Sequence, residues 1–184
     1  MTGIAKGTMD AQSVELRVAQ RDDAAMLDNL LQLYMHDLSA FGLWSIGDDG
    51  RFAYPHLPRY WSEEGEAEGR APFIFFAEGE LAGFALKNCF SHLGQSEPVS
   101  SIAEFFVLRK WRGQGVGRAA AFALFDRFAG RWEVTQLRAN EPAHRFWLRA
   151  IGAYTDRRFV DREIKTERGD RYVQSFESGA GKHP

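Results

Sequence analysis

The sequence predicts an α+β domain: one mixed sheet with helices packed on it. Three observations carry this. Three β-patterned runs follow one another between residues 72 and 108, which favours antiparallel neighbours. A strand–helix–strand unit from Ile102 to Ala139 then requires a parallel crossover. The 184 residues suit a single core, and no repeat or linker interrupts them.

The elements follow in order. Val14, Leu16 and Val18 alternate with polar neighbours, as in a strand. Leu27, Leu30, Leu31, Tyr34 and Leu38 recur at helical spacing behind Asp22 and Asp23, and Gly42 stops them. From 43 to 70 the pattern breaks down around Pro55 and Pro58, and a short helix with a working loop is expected there. Residues 72–90, "PFIFFAEGELAGFALKNCF", form a hairpin about a Glu-Gly-Glu turn. "IAEFFVL" (102–108) is a strand. A helix runs from about Gly115 to Ala129, closed by Gly130. "WEVTQLRA" is the next strand, and Asn140 caps a helix with Pro142 in its first turn. A terminal β pair, 153–164 and 171–178, ends the domain. Its boundaries fall at 13 and 177, with 1–12 and 178–184 expected to be flexible.

Composition narrows the function classes. Hydrophobic residues make up 45%, with 15 Phe and 5 Trp, enough for a packed core. The formal charge of −2 argues against a general nucleic-acid partner. Cys89 is the one cysteine, so no internal disulfide forms, and a reducing, cytoplasmic setting is expected. It lies in an apolar run and is expected to be a plain buried thiol. No apolar stretch approaches a membrane span, and the N-terminus lacks a signal-peptide core. No His, Cys and carboxylate cluster has metal spacing, so no metal is expected.

The stretch "RKWRGQGVGRAA" carries the chemistry. Gly113, Gly115 and Gly117 lie between a strand and a helix, among Lys110, Arg112 and Arg118. Bare backbone at a helix N-terminus exposes N–H groups that favour an anion, most often a phosphate. A P-loop is excluded, because no Lys-Ser or Lys-Thr follows. A dinucleotide fingerprint is matched by Gly115, Gly117 and Ala120. Too little chain follows for its parallel sheet, and Glu133 lies near the start of the next strand rather than its end.

These residues resemble the acetyl-CoA signature of the GNAT N-acetyltransferase superfamily, a strand, then [RQ]-x-x-G-x-[GA], then a helix. Here it is Arg112-Gly113-Gln114-Gly115-Val116-Gly117. Asn140 and Ala143 in "NEPAHRFW" resemble the family's second block, and the element order is similar from about Val14 to Phe176. The resemblance implies a GNAT-like acyl-CoA N-acyltransferase fold and an acetyl-CoA-dependent N-acetyltransferase working by direct transfer in a ternary complex. It implies that backbone N–H groups of Gln114, Gly115, Val116, Gly117 and Arg118 hold the CoA pyrophosphate, with Arg112 and Gly113 flanking them. Val107 and Leu108 would pair with the pantetheine arm, and the Val107 N–H would polarise the thioester carbonyl. Asn140 would hydrogen-bond that arm and Phe146 would lie along it.

One departure matters. Many members carry a Tyr acid on the last helix, and Trp147 stands at that position. An indole N–H donates but is no acid near neutral pH. Tyr154, His144, water or the incoming ammonium could protonate the thiolate instead, or the protein could be a non-catalytic acyl-CoA-binding module. Glu104, the only carboxylate on the central strand, is the candidate base, set against a plain edge ion pair. The acceptor is a small-molecule or peptide amine. A lid from Tyr60, Trp61, Glu63 and Glu64 is weighed against a solvated acidic loop, and His56 and His92 are loop residues that could line the acceptor site. The terminal β pair could offer a homodimer edge.

Overall fold

The structure, a computed structural model, describes residues 14–42, 44–167 and 169–179. The expected flexible lead-in, 1–12, lies outside them. Seven strands form one sheet: β1 (Val14–Val18), β2 (Ala71–Ala77), β3 (Glu80–Asn88), β4 (Ser100–Val107), β5 (Gly130–Leu137), β6 (Phe159–Ile164) and β7 (Arg171–Ser178). Their order is β1-β2-β3-β4-β5-β7-β6, and β4 with β5 is the parallel pair. Among the described residues four α-helices accompany them: α1 (Ala24–Ser39), α2 (Glu63–Ala67), α3 (Val116–Arg127) and α4 (Glu141–Tyr154).

Two apolar layers sandwich the sheet. On one face α1 lays Leu27, Leu30 and Leu31 against Ile74, Phe84 and Phe106. On the other, α3 and α4 enclose Phe125 with Trp132, Trp147, Tyr154 and Phe176. The wide apolar face of α3 follows from this. It meets the sheet and α4 together, and Ala120, Ala121, Leu124 and Phe125 are all buried.

Several boundaries move from the sequence reading. Helix α4 runs on to Tyr154, because Ala150, Ile151 and Tyr154 continue its buried stripe, and β6 starts only at Phe159. Ser178, where the expected strand and the expected tail overlapped, closes β7 as the strand reading had it, and its Oγ accepts from Trp132 Nε1 (3.1 Å). Cys89 is exposed rather than buried, since β3 ends at Asn88 and the chain turns outward. Lys87 Nζ lies 3.1 Å from its Sγ. The outer strand β6 carries Asp161, Arg162 and Glu163, charges of the kind that blunt a sheet edge.

Two features position the site. Strands β4 and β5 pair only from Ser100–Trp132 to Ile102–Val134 and then diverge, leaving a gap between their C-terminal halves. Beside that gap β4 carries a bulge, because the register to β3 shifts between Leu86–Glu104 and Lys87–Ile102. Ala103 is the extra residue. Ile102 packs in the α3–α4 layer, whereas Ala103 and Glu104 both face the α1 side. Bulges re-aim side chains in this way.

Candidate active site

The glycine stretch follows β4 through a 3-10 turn, Arg109–Trp111, pinned by Trp111 Nε1 donating to Leu81 O (3.2 Å). Gly113 (φ +77) and Gly115 (φ +85) are left-handed, and a Cβ on either would meet open space. Their requirement is conformational. Gly115 is the N-cap of α3, and no side chain caps that end. The first-turn N–H groups of α3 therefore have neither a helical partner nor a capping side chain, as an anion site needs. Gly117 has a different reason: a Cβ there would press Val107 Cγ2 at 3.1 Å and the Phe146 ring at 3.3 Å. It lets α3, β4 and α4 cross closely.

The basic residues divide. Lys110 pairs with Glu80. Arg112 turns back, with Nε donating to Val107 O (2.8 Å) and Nη2 to Asp37 (2.7 Å), over the Phe106 ring. Asp37 also holds Arg109 (2.6 Å), and these hydrogen bonds outweigh burial to keep its carboxyl below the usual range. Among the described residues, Arg118 is the one of the three that makes no ion pair.

At the end of β4, Leu108 N donates to Ala82 O (2.9 Å) on the β3 side. Backbone groups alternate along a strand, so the Val107 N–H points the other way, toward the gap.

The gap opens into a cavity of about 320 Å³. Glu104, Ile102, Ala103 and Phe105 of β4 line it. So do Thr135, Gln136 and Leu137 of β5, Asn140, Ala143 and Trp147 beside them, and Arg171 of β7. Tyr34 and Leu38 of α1 and the segment Ala53–His56 close the far side. That segment is fixed to α1 by a double hydrogen bond: Gln32 donates to Phe52 O (3.1 Å) and accepts from Phe52 N (2.8 Å).

Glu104 is the titratable centre. Burial pushes its carboxyl up to about 7, partly offset by hydrogen bonds from Tyr34 and Tyr54 and by the charge of Arg171. Tyr54 Oη donates to it at 3.1 Å. Both tyrosines are themselves pushed up, first by burial and then by the Glu104 charge, so they remain donors.

The structure thus brings Glu104, Asn140 and Trp147 to one cavity, while Val107, Leu108, Arg112, Phe146 and the 113–118 loop do not line it. Asn140 spends its side-chain oxygen on the Ala143 N–H (3.2 Å) as helix cap. Phe146 stacks on Phe105. Trp147 is buried against Phe105, Phe125 and Phe146. Neither alternative acid reaches the cavity. His144 sits on Asp161 (3.0 Å), stacked on Tyr172, and Tyr154 donates to Asp126 (2.7 Å). The expected lid lies elsewhere: Tyr60 is buried, Trp61 Nε1 donates to Ala19 O (3.1 Å), and Glu63 and Glu64 open the short helix α2. Of the loop histidines, His56 lines the cavity and His92 does not; its N–H donates to Glu133 (2.6 Å).

Comparison with known proteins fits this geometry. The profile of the acetyltransferase (GNAT) family matches residues 27–153. The chain belongs to the GNAT acetyltransferase family. A curated relative, the aminoglycoside N(6')-acetyltransferase type 1 of Stenotrophomonas maltophilia, is 34% identical over 94 residues. That match spans 48% of this chain and 58% of the relative's length. Among solved structures, AAC(6')-Ib in complex with ribostamycin and coenzyme A superposes with a TM-score of 0.62 at 22% identity, covering 90% of this chain and 93% of that one. A GNAT-family acetyltransferase of Streptococcus agalactiae gives 0.65 at 12% identity, covering 94% and 99%. Both share the fold.

Sequence reasoning missed Tyr34, Tyr54, Gln32 and Arg171. Tyr34 occupied the apolar stripe of its helix, where its ring belongs; only the hydroxyl carries the contact to Glu104.

Proposed function

We propose that this chain is an acetyl-CoA-dependent N-acetyltransferase that transfers the acetyl group directly to a primary amine. The carrying observation is the combination of an uncapped, glycine-entered α3 with a carboxyl near neutrality across the β4–β5 gap. The first-turn N–H groups of α3 would hold the CoA diphosphate, with Arg118 nearby. The arm would run along the open edge of β4, which requires Arg112 to leave Val107 O.

Glu104 then takes the proton of the acceptor ammonium, and the amine attacks the thioester carbonyl. The Val107 N–H stabilises the oxyanion, and collapse expels the CoA thiolate. Trp147 supplies no proton; it shapes the wall. The nitrogen of the tetrahedral intermediate, positively charged after the attack, gives up its extra proton directly or through water to the leaving thiolate as the amide forms, and positioning supplies much of the rate. A cytoplasmic location fits a lone, unpaired Cys89. The expected dimer edge falls on charged β6, and a monomer is the reading that charge supports. Among the described residues no helix is long and apolar enough to cross a membrane.

The buried Trp147 favours one second reading, an acyl-CoA sensor without turnover. Calorimetric titration with acetyl-CoA, with NADH as control, tests the cofactor site. An amine-panel assay for free CoA release then separates enzyme from sensor. Failure to bind acetyl-CoA would remove both readings.

A further inference from the structure

The acetyltransferase reading leaves the acceptor open, and the charge pattern of the cavity narrows it. Among the described lining residues Glu104 is the one carboxylate and Arg171 the one guanidinium. They lie on the same side of the sheet. Trp132 and Val134 of β5 pack in the α3–α4 layer, so by strand alternation Leu137 faces α1. Arg171 is registered directly opposite Leu137 and shares its face. Glu104 reaches that face through the Ala103 bulge. β5 lies between their strands, and because β4 and β5 have diverged at this level the two backbones stand farther apart than two ordinary inter-strand steps, roughly 10 Å. The side chains converge on one cavity across that span, and the charge of Arg171 reaches Glu104.

A polycation fits this wall poorly. Its first ammonium would meet Glu104, and the next would face Arg171 rather than a second carboxylate. Other acidic groups nearby are engaged: Asp37 by Arg109 and Arg112, and Glu133 by Ser91 Oγ and the His92 and Leu93 N–H groups. Trp44, Tyr54 and His56 add flat walls around a volume suited to a compact molecule.

We infer that the acceptor is a small amine that also carries a carboxylate, of amino-acid to dipeptide size, with Glu104 receiving the amine and Arg171 the carboxylate. This rests on the acetyltransferase reading. Arg171 is a specificity-determining residue on this account.

The test measures CoA release with matched pairs that differ by one carboxylate, phenylalanine against phenethylamine and lysine against cadaverine, with ribostamycin as the polycation. At least one amino acid should exceed its decarboxylated partner in kcat/KM by about tenfold or more. Arg171→Leu should bring that ratio toward one, and Arg171→Lys should keep part of it. Both variants should bind acetyl-CoA as the parent does by calorimetry, which also shows that they fold. A preference for the decarboxylated amines or ribostamycin overturns the inference. So does a ratio that Arg171→Leu leaves unchanged, or no turnover of the panel by protein that binds acetyl-CoA. Loss of acetyl-CoA binding in the parent defeats the acetyltransferase reading itself and this inference with it.

Discussion

Glu104 couples catalysis to stability. The folded carboxyl titrates near 7 against an ordinary value of 4.5, so the folded state binds more protons between those pH values. Stability therefore falls as pH rises through that window. Glu104→Gln should lack this slope and unfold at higher temperature than the parent at pH 8. The gain should be on the order of 1 kcal/mol, less than full linkage because the carboxyl is only half-buried. Activity should run the other way, rising with pH through about 7 as the base ionises. In a pH–rate series Glu104→Gln should lose roughly 10²–10⁴ in kcat with acetyl-CoA affinity unchanged. Trp147 gives the complementary case. Trp147→Phe should keep kcat within a few-fold, since the indole moves no proton, whereas Trp147→Ala should cost about 3–5 kcal/mol of stability by thermal denaturation.

At the scale of elements, the two kinds of glycine should separate. Gly115→Ala forces a left-handed alanine into open space and should cost about 1–2 kcal/mol of strain with no clash. Gly117→Val should drive α3 away from Val107 and Phe146, and calorimetry should show acetyl-CoA binding lost. The 53–56 segment makes a second test. Gln32→Ala removes both hydrogen bonds to Phe52, a loss of about 1–2 kcal/mol in local anchoring. Tyr54 should then wander, raising KM for the amine while KM for acetyl-CoA stays put. The end of α4 shows how a local pattern misplaces an element boundary. Local pattern stopped α4 at Gly152, but the buried stripe of Ala150, Ile151 and Tyr154 carries the helix past it.

Across the whole molecule, Glu133 ties the loop before β4 to the strand after α3. It is fully buried and accepts from Ser91 Oγ, His92 N and Leu93 N. Glu133→Ala should orphan those donors and cost about 2–4 kcal/mol of global stability in a denaturant titration. Acetyl-CoA at a hundred times its Kd should stabilise the fold by about 2.7 kcal/mol, read as a rise in Tm.

The class of sheet, the glycine-entered helix and the strand carboxylate are legible in the residues alone. Each rests on local chemistry: apolar periodicity, bare backbone at a helix start, one acid in an apolar strand. Where those parts converge depends on how the strands are paired. The β4–β5 divergence, the Ala103 bulge that turns Glu104 toward Tyr34 and Tyr54, and the arrival of Arg171 from a strand 67 residues later all depend on register between distant segments. Register is set by pairing across the sheet, which no local pattern encodes.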